Sequence, residues 1–307
     1  MFEIIRSNTR INFVSKFSVT AVVSLLLVAV SIFGIASRMN YGVDFRGGAE
    51  IQLKFTETIN LDNLRKDLKD AGFKGIAAQT IGERSQNEFL VKVQGDETNL
   101  NQITEKVSET LLSSYASKGV EVRKVDIVGP KAGAQLRISG FQAMLWALIA
   151  IMIYIGLRFD FKYSPGAIVA LFHDVTIILG VFSFFHVEFT LQTVAALLAV
   201  IGYSVNDTVI VYDRVREHED KNPSLPLSNH INKAVNETLS RTIMTSLTTL
   251  FVSVVMYFFG GLAIKDFFLA ISLGVLIGTY SSIFVAAPVT LFFDRIKGAE
   301  EKNAAKA

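Results

Sequence analysis

Six long apolar runs constrain this chain more than any other feature of its sequence. They cover residues 19–36, 141–157, 165–185, 190–212, 243–262 and 267–293 of a 307-residue chain in which 50% of the residues are apolar. Each run is close to the roughly 20 residues that a helix needs to cross the hydrocarbon core of a bilayer. The runs predict a polytopic α-helical membrane protein with six transmembrane helices. Pro288 is expected to kink the last of them.

The first run has two interpretations. It is either an uncleaved membrane anchor or a cleaved signal peptide, and its length favours the anchor because the apolar core of a signal peptide is usually shorter. The predicted division of the chain is then an N-terminus at the membrane surface or in the cytoplasm (1–17), a first transmembrane helix (18–37), an external domain (38–138), transmembrane helices two to six (139–293) and a tail (294–307).

The basic residues outside the runs predict the orientation of the chain. They precede the first run, lie between the second and third and between the fourth and fifth, and follow the sixth: Arg6, Arg10, Lys16, Arg158, Lys162, Arg214, Arg216, Lys221, Lys233, Arg295 and Lys297. Cytoplasmic segments carry the excess of lysine and arginine. Both termini are therefore expected in the cytoplasm, and residues 38–138 are expected on the other side, which is the periplasm of a bacterial cell.

Residues 38–138 are polar enough to form a small soluble domain. Strand patterns occupy 49–55, 76–81, 89–94 and 120–128, helical spacing occupies 61–71 and 98–116, and Gly72, Gly75 and Gly95 mark boundaries. The order strand, helix, strand, strand, helix, strand predicts a ferredoxin-like α+β domain. It contains no grouping of histidine, carboxylate and nucleophile, so it is interpreted as a binding or spacer module.

Composition excludes several classes of function. A net charge of +2 does not suggest nucleic acid as a partner, and the absence of cysteine excludes disulfides and thiolate metal sites. Neither a phosphate-binding loop ending in Gly-Lys-Ser/Thr nor a His-Glu-x-x-His motif occurs. We therefore expect no enzyme activity, no cofactor and no metal site, and membrane lipid as the surroundings.

Asp207 is the most unusual residue in the apolar runs. It precedes Arg214, the nearest basic residue, by seven positions, which at about 1.5 Å per residue places it roughly 10 Å inside the membrane. An ionisable group there costs about 2.5–3.5 kcal/mol on insertion scales. Ser204, Asn206 and Thr208 offer groups that hydrogen-bond across helices. Asp207 is interpreted as a carboxylate that takes up and releases a proton; a permanent structural ion pair is the alternative.

Three further polar residues are candidate partners of Asp207. Arg241 is either a basic anchor before the fifth run or a cation whose long side chain reaches Asp207. An arginine neighbour favours the ionised carboxylate and burial favours the protonated one, so movement of Arg241 would act as a switch. His173 and Asp174 lie in the antiparallel third run, Asp174 about 13 Å from its cytoplasmic end. At most one of them is expected to face Asp207, as a relay or through a structural hydrogen bond.

Two other sets of residues predict helix contacts. Gly274 and Gly278 form a Gly-xxx-Gly pair, and Ala195, Ala199 and Gly202 form a small-residue stripe, both typical of close helix packing. Near the membrane surface, a solvated salt-bridge cluster is the expected environment of four charged residues, Asp213, Arg214, Arg216 and Glu217.

Two sequence motifs carry a resemblance to a known family. The stretch Gly202-Tyr203-Ser204-Val205-Asn206-Asp207-Thr208, continued by Asp213-Arg214 and Arg216-Glu217, resembles the signature of the SecD/SecF protein-export family, in its SecF form, within the resistance–nodulation–division (RND) superfamily. Gly42-Val43-Asp44-Phe45-Arg46-Gly47-Gly48 matches a second motif of that family. Six predicted spans with a folded first external loop also match, so the resemblance covers nearly the whole chain.

The resemblance implies a fold, a location and a function. The fold would be half of an RND-type bundle in the bacterial inner membrane, completed by SecD. The function would be to assist unfolded preproteins through the SecYEG channel with the proton motive force. The implied proton pathway is Asp207 with Arg241, to which the residues themselves add Asn206, His173 and Asp174. Sodium stays open as the coupling ion, since a carboxylate with Asn, Ser and Thr neighbours ligates either cation.

The second motif would couple the first span to the external domain. Its glycines, Gly42, Gly47 and Gly48, permit tight turns that side chains block. Phe45 lies between them. Asp44 has either a direct role in the coupling or a local one, as a carboxylate that caps a turn or helix.

Two other functions fit part of the pattern. An RND-like proton-coupled transporter of small molecules would use the same buried carboxylate, although a single ferredoxin-like domain is too small to enclose a drug cavity of its own. An intramembrane aspartyl protease would pair Asp174 with Asp207. That class places Gly-x-Gly before one aspartate and tyrosine before the other, whereas His173 and Asn206 precede them here.

Overall fold

The structure is a computed structural model that describes residues 9–71, 73, 76–81, 87–93, 100–159 and 161–304. The predicted surface segment 1–17 therefore lies partly outside the described residues. Four residues used in the predictions lie wholly outside them: Arg6, Gly72, Gly75 and Gly95.

Long helices dominate the described chain. The helices are α1 (Phe17–Arg38), α2 (Val43–Arg46), α3 (Leu61–Asp70), α4 (Leu100–Ser114), α5 (Pro130–Arg158), α6 (Ser164–Phe184), α7 (Leu191–Lys221), α8 (Leu227–Phe259), α9 (Leu262–Ser281) and α10 (Ala287–Ala304). The strands are β1 (Asn40–Tyr41), β2 (Gly48–Phe55), β3 (Ala77–Ile81), β4 (Glu88–Val93), β5 (Val120–Val128) and β6 (Glu188–Phe189). Within the described residues, six stretches are long and apolar enough to cross a membrane, namely α1, α5, α6, α7, α8 and the joined α9–α10. The predicted six-span membrane fold is confirmed.

The external domain forms from alternating strands and amphipathic helices. Its four strands form an antiparallel sheet in the order β3-β4-β2-β5. On β2, Ala49, Ile51 and Leu53 are fully buried, and Leu64 of α3 and Val107 of α4 are buried in the same core. The order β2-α3-β3-β4-α4-β5 is the split βαβ arrangement, so the ferredoxin-like prediction is confirmed.

Three transmembrane helices extend beyond the predicted apolar runs. Helix α5 begins at Pro130, inside the segment 38–138 that the sequence assigned to the external domain, because its first two turns carry Lys131 and Arg137. The predicted loop 213–241 is also mostly helical, since α7 continues to Lys221 and α8 begins at Leu227. Arg241 consequently lies fourteen residues after the start of α8 rather than just before the fifth span. Hydropathy finds the part of a helix that lies in lipid, and charged turns outside the lipid continue the same helix.

Helix α7 is the centre of the bundle and contacts α5, α6, α8 and α9. A Cβ on Gly274 of α9 would lie 2.2 Å from Val200 of α7, and one on Gly278 would lie 3.0 Å from Ser204, so this glycine pair packs closely as predicted. The stripe on α7 behaves differently. Ala199 is exposed and a Cβ on Gly202 would have no atom within 4 Å, so the stripe faces away from the described chain.

The last span contains an irregular turn. Residues Ser282–Ala286 form a π-helical turn between α9 and α10, two residues before Pro288. Proline lacks the N–H that closes an α-helical hydrogen bond. The irregularity therefore lies next to the residue that was expected to kink the span, and it takes the form of a π turn.

Candidate functional site

Asp207 lies in the middle of α7 and is 1% exposed. Neither of its carboxylate oxygens has a hydrogen-bond partner among the described residues, and the same holds for the hydroxyl of Thr242 on α8. A buried charge is normally paired or hydrogen-bonded, because removing it from water is expensive. Asp207 is therefore the polar group of the bundle whose charge is least compensated.

Arg241 lies on α8, the helix that follows α7 in the chain. Its side chain is exposed, and its positive charge acts on the carboxylate of Asp207. The two side chains form no ion pair within 4.0 Å in the part of the chain that the structure describes. The permanent structural ion pair is thus not the arrangement seen, and the guanidinium lies near the carboxylate without contacting it.

Asp174, in contrast, has hydrogen bonds at both oxygens. Its Oδ2 accepts from Ser204 of α7 at 2.6 Å and from Ser281 of α9 at 2.8 Å, and its Oδ1 lies 3.0 Å from Nδ1 of His173. Asp174 is 1% exposed. This carboxylate therefore joins three transmembrane helices.

His173 is 3% exposed and stacks on Tyr280 with ring centroids 6.0 Å apart. Its Nδ1 faces Asp174, and its Nε2 has no partner among the described atoms. Neither His173 nor Asp174 hydrogen-bonds Asp207 in the described structure. Ser281 and Tyr280 were not predicted as site residues, although Thr279-Tyr280-Ser281-Ser282 is a conspicuous polar run in an apolar span.

The other residues of the Gly202–Thr208 stretch divide between two faces of α7. Ser204 reaches Asp174, and Thr208 hydrogen-bonds the carbonyl of Ser204 on its own helix at 3.3 Å. Asn206 is exposed together with Gly202, and the hydroxyl of Tyr203 has no described partner. One face of this stretch therefore belongs to the polar interior, and the other is free for contact outside the described chain.

The predicted salt-bridge cluster lies where α7 leaves the bundle. Arg214 pairs with Glu217 and with Glu237 of α8, and Glu217 also pairs with Lys221. Two further contacts reach the end of α5: Asp213 pairs with Arg158 at 3.5 Å, and Arg216 donates to the carbonyl of Arg158 at 3.5 Å. The cluster is confirmed. Glu237 and the buried His218, which contact each other at 2.9 Å, were not predicted as members.

The Gly42–Gly48 motif forms the short helix α2 and a turn packed against the start of α5. Gly47 has φ +79°, and a Cβ there would lie 2.6 Å from Pro130. Gly48 has φ +146°, and a Cβ there would lie 2.6 Å from the carbonyl oxygen of Val93. Such backbone conformations disfavour any residue with a side chain. The motif therefore brings α5, β4 and α2 together at the base of the external domain.

Asp44 and Phe45 connect this motif to α7. Asp44 accepts a hydrogen bond from the backbone N–H of Leu191 at 2.9 Å, at the first turn of α7. Of the two roles considered for Asp44, the structure shows the capping one. Phe45 is buried and packs on Phe189, with ring centroids 5.1 Å apart. Gly42 donates its N–H to the carbonyl of Phe189, next to the parallel pair of β1 and β6.

A lysine fastens the external domain to the bundle. Lys92 of β4 pairs with Glu188 of β6 and lies 3.4 Å from Glu50 of β2. Burial raises the pKa of Glu50 above its ordinary value, and the positive charge of Lys92 only partly opposes this. Lys92, Glu50 and Glu188 were not predicted as site residues, since no local pattern marks contacts between segments so distant in sequence.

Comparisons with known proteins identify the family. A model of the C-terminal part of the protein export membrane proteins SecD/SecF matches residues 107–295, and the SecD/SecF GG motif matches residues 32–59. The chain belongs to the SecD/SecF family. Both motifs that carried the resemblance lie within these matched ranges.

Relatives within the SecD/SecF family match almost end to end. A protein translocase subunit SecF from Thermodesulfovibrio yellowstonii is 39% identical over 297 residues, covering 95% of this chain and 97% of the relative. A second, from Vibrio alginolyticus, is 38% identical over 297 residues, covering 95% of this chain and 92% of the relative.

Solved structures of SecDF share the fold. The translocon-associated SecDF of Thermus thermophilus matches with a TM-score of 0.81 at 34% identity, covering 94% of this chain and 39% of that one. A SecDF in a super-membrane-facing form matches with a TM-score of 0.72 at 36% identity, covering 100% of this chain and 41% of that one. The chain thus spans about two fifths of the length of these SecDF chains.

Proposed function

We propose that this chain is the SecF-type subunit of a SecDF complex in the bacterial inner membrane, and that the complex uses the proton motive force to assist preprotein translocation through the SecYEG channel. The observation that carries the proposal is Asp207, a buried carboxylate without hydrogen bonds in a bundle whose other buried aspartate, Asp174, has three. The similarity to proteins named translocase subunits supports protein export as the process.

The partner is proposed to be SecD, packed against the outward face of α7. Ala195, Ala199, Gly202 and Asn206 form an exposed line of small residues on that helix. Small residues let a second helix approach closely in a membrane. The SecDF chains contain more than twice the length of this chain, which leaves room for a second bundle.

The proposed switch is the pair Asp207 and Arg241. With Asp207 ionised, the guanidinium of Arg241 is drawn toward it; with Asp207 protonated, the attraction is lost and α7 and α8 are free to shift. One elementary charge that crosses the membrane releases about 2.3 kcal/mol per 100 mV. One or two protons therefore shift a conformational equilibrium by about two to four powers of ten at about 150–200 mV.

The proposed path from this switch to the external domain is α7 itself. Its first turn is capped by Asp44, and the preceding β6 carries Glu188, which pairs with Lys92 of the domain. A shift of α7 along its axis therefore moves the cap and the lysine contact together.

The test compares Asp207→Asn with Asp220→Asn, which removes the same charge at an exposed site on the same helix. Each variant is assembled with SecD and SecYEG in proteoliposomes, and both preprotein import and proton flux are measured with a proton gradient, a sodium gradient or neither. Asp207→Asn is expected to abolish the part of translocation that depends on the gradient, and Asp220→Asn to retain it. Wild-type translocation and flux in Asp207→Asn would refute the proposal, and stimulation by sodium alone would reassign the ion.

A further inference from the structure

A cavity separate from Asp207 lies between α1, α6 and the turn that leads into α10. Its volume is about 580 Å³, within the range of about 300–1,000 Å³ that is usual for pockets that hold a small molecule. Four phenylalanines line it: Phe17, Phe172, Phe284 and Phe292. Arg295 is the only Lys, Arg, Asp or Glu side chain among its described lining residues.

His173 gives this apolar cavity a single buried hydrogen-bonding atom. The histidine lines the cavity, and its Nε2 is buried without a partner among the described atoms. Since Asp174 already accepts two serine hydroxyls at Oδ2, its Oδ1 is satisfied when Nδ1 of His173 donates to it. In a neutral imidazole whose Nδ1 carries the proton, Nε2 is an acceptor. The cavity therefore presents an acceptor to a ligand that brings a hydroxyl donor.

The walls indicate the rest of the ligand. Aromatic side chains favour stacked or edge-on contact with another ring, and four phenylalanines surround the approach to His173. Access from the bilayer is direct, because α1 forms one wall and large apolar residues such as Val22 and Leu26 on the rest of its surface are exposed. A planar ring with one hydroxyl and an apolar tail fits both the acceptor and the walls.

We propose that this cavity binds a lipid-soluble phenol or quinol, whose ring lies among the phenylalanines and whose hydroxyl donates to Nε2 of His173. The site is distinct from Asp207 and does not depend on the proposed export function. A bound hydroxyl holds the imidazole proton on Nδ1, facing Asp174, and so fixes the network that joins α6, α7 and α9.

The test uses two probes that differ only in the hydroxyl, 4-hexylphenol and hexylbenzene. The full chain in phosphatidylethanolamine and phosphatidylglycerol liposomes is labelled with a photoreactive 4-alkylphenol, and the labelled peptides are mapped while either probe competes. We expect labelling of α1 and the π turn, with 4-hexylphenol competing about tenfold better than hexylbenzene, the value of roughly one hydrogen bond to a buried partner. Equal competition by the two probes would overturn the assignment to His173.

Two pairs of variants separate the site from general contact with lipid. In His173→Phe, the tenfold preference for the phenol is expected to vanish. Ala21→Phe fills the cavity from α1 and should abolish the labelling, whereas Ala29→Phe adds the same ring to an exposed position on α1 that does not line the cavity. Ala21→Phe leaves the Asp174 network untouched, so it decides the question even if His173→Phe does not fold. Labelling that persists in Ala21→Phe would show that only the lipid-facing surface is labelled, and would refute the cavity.

Discussion

The two buried aspartates should respond in opposite ways to the same substitution. Asp174→Ala removes an acceptor from three hydrogen bonds, to Ser204 at 2.6 Å, to Ser281 at 2.8 Å and to His173 at 3.0 Å. Side-chain hydrogen bonds between membrane helices contribute about 0.6–1.7 kcal/mol each, so the loss is about 2–5 kcal/mol. Asp207→Ala breaks no described hydrogen bond and should change the free energy of unfolding by about 1 kcal/mol or less.

The assay is unfolding in mixed micelles, followed by far-ultraviolet circular dichroism as the mole fraction of dodecyl sulfate rises. The chain without Asp174 should unfold at a clearly lower mole fraction than the wild type and the chain without Asp207 at nearly the same one. A double-mutant cycle with Ser281→Ala checks the cause, because a bond already lost in Asp174→Ala cannot be lost again. Equal destabilisation by the two aspartate variants, or full additivity with Ser281→Ala, would refute the reasoning.

Three further predictions concern the external domain and the outer face of the bundle. Burial raises the pKa of Glu50, so its contribution to stability is present below the ordinary value of 4.5 and is lost as the pH rises through the raised value; Glu50→Gln should therefore melt above the wild type at neutral pH, and the difference should close as the pH falls below 4.5. Gly47→Ala should destabilise the chain by about 1–3 kcal/mol because its backbone has φ +79° and Pro130 occupies the space for Cβ, whereas Gly202→Ala, with open space, should be neutral or stabilising by up to about 1 kcal/mol. Because the chain has no cysteine, Ser113→Cys and Ser224→Cys report orientation cleanly: a membrane-impermeant maleimide added to spheroplasts should label the first and spare the second, and the reverse would invert the predicted topology.

The elements of this fold were predictable from sequence because local patterns determine them. Apolar length located all six spans, and alternation of buried and exposed residues located the four strands of the external sheet. The errors fell at helix ends, where α7 continues as a charged helix to Lys221 and α8 begins fourteen residues before Arg241. Ion pairs such as Arg214 with Glu217 support helix outside the lipid, and hydropathy does not detect them.

The partners within the candidate site were not predictable in the same way. Cost alone marked Asp207, Asp174 and His173 as unusual, since a polar group in lipid needs a reason. Which of them hydrogen-bond depends on the rotation of each helix about its axis and on the register between helices. Ser281, 107 residues after Asp174 in the chain, reaches it only because α9 packs closely on α7.

Helix α7 connects every part of the candidate site, and its contacts are unevenly distributed. Its first turn is capped by Asp44, its middle is held through Ser204, and its far end is paired through Arg214 to α8. A packed helix held at three points moves as a unit rather than deforming, because protein interiors leave little free space. Asp207 lies between the second and third of these points, and its oxygens have no described hydrogen bond. A change of charge there breaks no existing contact, whereas a change at Asp174 would break three, so Asp207 is the position on α7 where protonation moves the helix at the lowest structural cost.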